Sequence, residues 1–166
     1  MNFNKYLERE ILKGMQVAEL YHGEKDDILR KLSKCVGLEG QVHGVDRLNP
    51  FSNHRSMRNL QKVPNISLHK AELPPIPSII PSLDAIVIRE FIWTYIGSYP
   101  LENELVFSEI NRALKINGHL ILNLNSTEQE NEKESPYYQK IISRVLPNLI
   151  MRSYERDLLA YQKHRK

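Results

Sequence analysis

Leu83-Asp84-Ala85-Ile86-Val87-Ile88 is an apolar, largely β-branched run interrupted by a single acid. A strand with one wet face alternates apolar and polar residues. A continuous run of this kind belongs inside a sheet covered on both faces. Such sheets are mainly parallel, and parallel neighbours need crossover connections, usually helices. The rest of the chain supplies them. Phe3 to Lys13 places Phe3, Tyr6, Leu7, Ile11 and Leu12 near helical spacing, with Gly14 as terminator. Asp26 to Val36 sets Ile28, Leu29, Leu32 and Val36 on one face, and Leu101 to Lys115 does the same before Asn117-Gly118 closes it. Shorter helices are expected over His54–Lys62 and over Tyr137–Leu146, which Pro147 stops. Strands are expected at Gln16–Leu20, Gln41–Val45, Ile66–Lys70, His119–Leu124, Leu149–Tyr154 and Asp157–Gln162. Leu73-Pro74-Pro75-Ile76-Pro77 is neither helix nor inner strand, and the polar stretch Ser126–Ser135 reads as a loop. The alternation predicts a three-layer α/β sandwich with a mainly parallel sheet.

A chain of 166 residues fits a single domain, read here as an N-terminal helix (1–14), a core (15–125) and a C-terminal helix and strand pair (126–166). No apolar run approaches the ~20 residues of a membrane helix. Met1 to Lys5 lacks the basic-then-apolar layout of a secretory signal, and the one cysteine, Cys35, has no internal partner. A cytoplasmic setting is expected. Cys35 reads as a buried helix thiol. His22 and His43 lack a Cys or His at ligand spacing, so no metal is expected.

The stretch Val17-Ala18-Glu19-Leu20-Tyr21-His22-Gly23-Glu24-Lys25 is an apolar run ending in an acid, then a short loop, then a helix start. A second apolar run ends in Gly44-Val45-Asp46. This is the skeleton of a strand–loop–helix–strand site for a nucleotide-type cofactor. Acids at 24, 26 and 27 read most simply as caps of the following helix. Glu19 and Asp46 are placed to accept hydroxyl or ammonium hydrogens, directly or through water. Their alternatives are a strand-end acid in solvent and a turn residue before Asn49-Pro50.

Across nearly its whole length the sequence resembles the compact class I S-adenosylmethionine-dependent methyltransferases. Val17 to Lys25 is similar to the family's first motif, Val36 to Asp46 to its second strand, Ser82 to Val87 to its fourth, and Glu109-Ile110-Asn111-Arg112-Ala113-Leu114-Lys115-Ile116-Asn117-Gly118-His119-Leu120 to the helix, turn and strand that follow. The resemblance implies a Rossmann-like methyltransferase fold with a mainly parallel seven-stranded sheet and an antiparallel last strand. It implies S-adenosylmethionine as cofactor, held more weakly where Tyr21 and Lys25 replace glycines. It further implies Glu19, Tyr21, Gly23, Asp46, Arg47, Glu72 and Arg89 around the cofactor, with Asp46 on the ribose. A solvated loop acid is the alternative for Glu72. Glu90, Trp93, Tyr95 and Asn123 are expected on the acceptor side, the competing reading for Trp93 being a packed lid. No catalytic dyad stands out, and alignment alone can carry methyl transfer.

The acceptor, a small molecule or RNA, is not fixed by these residues. Two other readings stand beside the enzyme: a methyltransferase-like subunit that regulates or binds a protein partner, and a nucleic-acid accessory using the basic tail Gln162–Lys166 and the His54–Lys62 segment. The net charge of +3 permits nucleic acid without arguing for it.

Overall fold

The structure, a computed structural model, describes residues 3–22, 26–47, 55–89, 100–123, 139–140, 142–144, 147–155 and 158–165. Four helices are named here: α1 (Phe3–Glu10), α2 (Asp27–Val36), α3 (Arg55–Leu60) and α4 (Pro100–Ala113). Seven strands run β1 (Gln16–Leu20), β2 (Gln41–Asp46), β3 (Ile66–Lys70), β4 (Leu83–Arg89), β5 (Leu114–Asn123), β6 (Leu149–Glu155) and β7 (Leu158–Lys163). They form one sheet in the order β3-β2-β1-β4-β5-β7-β6. The first five pair in parallel, and β7 runs antiparallel between β5 and β6.

Both faces of the sheet are covered, as the Leu83–Ile88 run requires. On one face Val17, Val42, Ala85, Val87 and Ile121 meet Tyr6 and Leu7 of α1, Leu29 and Leu32 of α2 and Leu60 of α3. On the other, Ala18, Leu20, Val45, Ile86, Ile88 and Leu120 meet Val106, Phe107 and Ile110 of α4. Burying one such aliphatic side chain contributes about 1.5–3 kcal/mol, so these two layers hold the sandwich together.

The β3–β4 connection carries no helix. Residues 71–82 form a proline-rich strap whose Ile76 and Ile80 enter the α4-side core. Glu109 fastens it by accepting the Ile76 N–H at 3.1 Å, and Arg112 donates to the Ile76 carbonyl at 3.2 Å.

Local details correct the sequence reading. Helix α4 ends at Ala113, two residues before Lys115, because Leu114 already pairs with Leu83. Four residues, 115–118, then bulge out before His119 rejoins the ladder opposite Ala85, with Asn117 at φ 67°. Asp26 stands at the N-cap of α2 without a side-chain capping bond and pairs instead with Arg30 at 2.7 Å. Cys35 is half-buried, and burial pushes its thiol up. Lys163, in the basic tail, serves the fold: its ammonium donates to the carbonyls of Asn111 and Leu114 at the end of α4, at 2.5 and 2.7 Å. Among the described residues no helix is long and apolar enough to cross a membrane, and no three metal-ligating side chains converge.

Candidate functional site

The chain leaves β1 for β2 on one side, while β4 pairs on the other, so the strand order reverses between β1 and β4. Such a switch point opens a crevice at the carboxyl ends of the strands, where open α/β sheets take their ligands. Glu19, at the end of β1, lies in register with Gly44 of β2 and Val87 of β4 and is fully buried. Asp46, which ends β2, is 6% exposed, and its carbonyl accepts the Ala71 N–H at 2.9 Å. The solvent-acid alternative for Glu19 is excluded by this placement, whereas the turn before Asn49-Pro50 lies outside the described residues.

Tyr21 follows β1 with φ 58°, in the left-handed region that glycine occupies freely. Its N–H donates to the Val45 carbonyl at 2.9 Å, extending the β1–β2 ladder by one bond. The ring packs against the α4-side core, together with Ala71 and Leu73 at the start of the strap. The chain therefore keeps the turn of a glycine loop with a bulky residue in place. The next residue is His22. It is 5% exposed, and its ring lies against the bare backbone of Gly44. A Cβ at Gly44 would meet Leu68, Leu29 and His22 at 2.8, 3.1 and 3.2 Å. Gly44 thus makes room for the first loop, a role that a glycine inside a strand signals.

The other predicted residues fall in several places. Arg47 follows Asp46 and is exposed, and Glu72 is exposed on the strap. Arg89 ends β4 in register with Asn123 of β5. Asn123 is 8% exposed, with its amide oxygen lacking a hydrogen-bond partner among the described residues. Gly23, Glu90, Trp93 and Tyr95 lie outside the described residues.

Sequence spacing also missed a histidine pair. His43 of β2 and His69 of β3 bring ring nitrogens to 3.1 Å, with Gln16 3.5 Å from the other nitrogen of His43. Burial, and then the neighbouring His69, push His43 down to about 4, and burial lowers His69 too. Both rings are neutral near pH 7. The partner comes from the adjacent strand, so no local spacing reveals it.

No protein-family profile and no curated protein matches the chain. Solved structures do. A SAM-dependent methyltransferase from Aquifex aeolicus superposes with TM-score 0.68 at 18% identity, covering 97% of this chain and 88% of that one. The precorrin-6Y C5,15-methyltransferase from Geobacter metallireducens gives 0.69 at 12%, covering 96% and 87%. The N-methyltransferase NodS from Bradyrhizobium japonicum gives 0.65 at 14%, covering 98% and 94%. The chain has the Rossmann-like fold of the class I methyltransferases, over nearly its whole length.

Proposed function

We propose that this protein is an S-adenosylmethionine-dependent methyltransferase acting on a small molecule or RNA. The observation that carries the reading is the first loop. Tyr21 holds a glycine-type left-handed turn between two buried polar residues, Glu19 and His22, at the switch point of a methyltransferase sheet. The acceptor groups suit the cofactor. Buried carboxylates at the ends of adjacent strands suit a ligand presenting a pair of hydroxyls and an ammonium group. Asp46 accepts from the ribose hydroxyls and Glu19 from the methionyl ammonium, directly or through water. Tyr21, Gly23, Arg47, Glu72 and Arg89 border the same ligand.

Bound S-adenosylmethionine supplies an activated methyl group on a sulfonium. The protein's part is alignment, because bringing acceptor and methyl carbon into line is worth many orders of magnitude without acid–base help. Asn123, whose buried amide oxygen has no partner among the described residues, offers an acceptor for a substrate N–H or O–H. Glu90, Trp93 and Tyr95, downstream of β4, complete the acceptor side. The cytoplasm is the setting proposed.

Thermal unfolding with S-adenosylmethionine, with its demethylated product and with ATP as control tests the proposal. A rise in midpoint with the first two and none with ATP is expected. Equal responses to all three, or no response, would leave the fold as a binding or regulatory subunit.

A further inference from the structure

A second concavity lies far from this crevice in the fold, on the α1 side of the sheet at the amino end of β5's regular ladder. It encloses about 380 Å3 and is lined by Tyr6, Arg9 and Glu10 of α1, His119 of β5, Arg152 of β6 and Gln162 of β7. That volume suits a small molecule. Its polar groups are unevenly matched. Arg9 donates to a Glu10 carboxylate oxygen at 2.5 Å and lies over the Tyr6 ring, 5.0 Å from its centroid. Gln162 donates to the Asn117 carbonyl at 3.2 Å. Arg152, exposed on the edge strand, has no carboxylate within ion-pair distance among the described residues. The His119 side chain is 14% exposed. Its Nδ1 is buried with no hydrogen-bond partner among the described residues, and Glu10 stands 4.0 Å away.

Among the described lining residues Arg9 and Glu10 offset one another, so Arg152 leaves a net positive charge. A buried imidazole nitrogen without a partner costs free energy that a bound polar group would recover. We propose that this cavity binds the phosphate group of a small molecule, with Arg152 as anchor and His119 Nδ1 as second contact. Guanidinium forks match the oxygen geometry of phosphate. A nucleic-acid backbone would call for a stripe of several cations, whereas the described lining residues supply one net cation. The surroundings of His119 give the site its own reporter. Burial and Arg152 hold the imidazole below its ordinary range, while Glu10 acts the other way. An anion on Arg152 removes part of that depression, and the His119 pKa rises.

Titration of the full chain with inorganic phosphate and with uridine 5′-monophosphate, followed by the His119 ring signals in NMR, tests the assignment. A saturable shift and an upward move of the His119 pKa are expected with both. Affinity should fall about tenfold in Arg152→Gln, consistent with loss of a charge-assisted pair. A control at exposed Lys62, Lys62→Gln, should leave it unchanged. Three results would overturn the proposal: no saturable shift, an undiminished shift in Arg152→Gln, or a response only to a single-stranded RNA lacking a terminal phosphate.

Discussion

Tyr21 donates its backbone N–H to the carbonyl of Val45 at 2.9 Å while holding φ at 58°. The bond locks the loop to β2, so the left-handed turn is imposed by the sheet and not by the residue that occupies it. For a residue with a Cβ that conformation costs roughly 1–2 kcal/mol. Packing of the ring against the α4-side core offsets the cost. Tyr21→Gly and Tyr21→Ala both lose the ring, but only glycine also relieves the strain. Denaturant unfolding should find the glycine variant about 1 kcal/mol more stable than the alanine variant. The opposite order, normal for most positions, would show that the turn is not left-handed.

Gly44 and His22 couple the core to the same loop. Adding a Cβ at Gly44 meets Leu68 at 2.8 Å and His22 at 3.2 Å. Gly44→Ala is expected to cost about 1–3 kcal/mol by overpacking and to weaken S-adenosylmethionine binding as His22 is displaced. Chemical denaturation and ligand titration on one preparation check both effects. An unchanged affinity would separate His22 from the cofactor site.

Asn65 closes α2. Its amide donates to the carbonyls of Ser33 and Gly37 at 3.0 and 2.7 Å and accepts from the Ser33 hydroxyl at 2.6 Å; both bonds to Ser33 are buried and the one to Gly37 is partly so. Asn65→Ala leaves the Ser33 hydroxyl without its acceptor, while the Ser33 and Gly37 carbonyls keep the N–H groups of Gly37 and Gly40 at 3.1 and 3.3 Å, and should cost about 1–2 kcal/mol. Asn65→Asp should cost more, since it faces two carbonyls and the negative end of a helix dipole with a carboxylate. Urea midpoints of the two variants rank the effects.

The His43–His69 pair sets an acid limit. The His43 pKa is lowered to about 4 in the fold, against about 6.5 in the unfolded chain. Between those values the unfolded state binds the proton and the folded state does not, so stability falls as pH drops through that window. The loss from His43 reaches roughly 3 kcal/mol at its lower end. His69, also lowered, adds in the same direction. Urea unfolding between pH 7.5 and 5 should show this slope, and His43→Asn should flatten it. An equal slope in the variant would assign the acid sensitivity elsewhere.

The sheet was legible in the sequence because burial on both faces leaves a pattern that no surface strand shares. Leu83–Ile88 is such a run, and the helical faces of 26–36 and 101–115 point at it. The boundaries that shifted did so for tertiary reasons. The Leu83–Leu114 pairing ended α4 early, and Arg30 drew Asp26 away from the helix end. The site residues Glu19 and Asp46 could be placed at strand ends, but whether those ends were wet or buried depended on neighbouring strands. Nothing local distinguishes a tyrosine that fits a left-handed turn from one that breaks it; the Val45 bond does that from 24 residues away. His22 behind Gly44 and His69 beside His43 were hidden likewise, because the contacts are across the sheet.

Calorimetry of S-adenosylmethionine binding to the wild-type chain and to Asp46→Ala tests the central claim most directly. Saturable binding is expected in the wild type, weakened at least about tenfold when the ribose-directed carboxylate is removed, as for loss of a charge-assisted hydrogen bond. No heat of binding at millimolar ligand would contradict the enzyme assignment, and equal affinity in the two proteins would contradict the role given to Asp46.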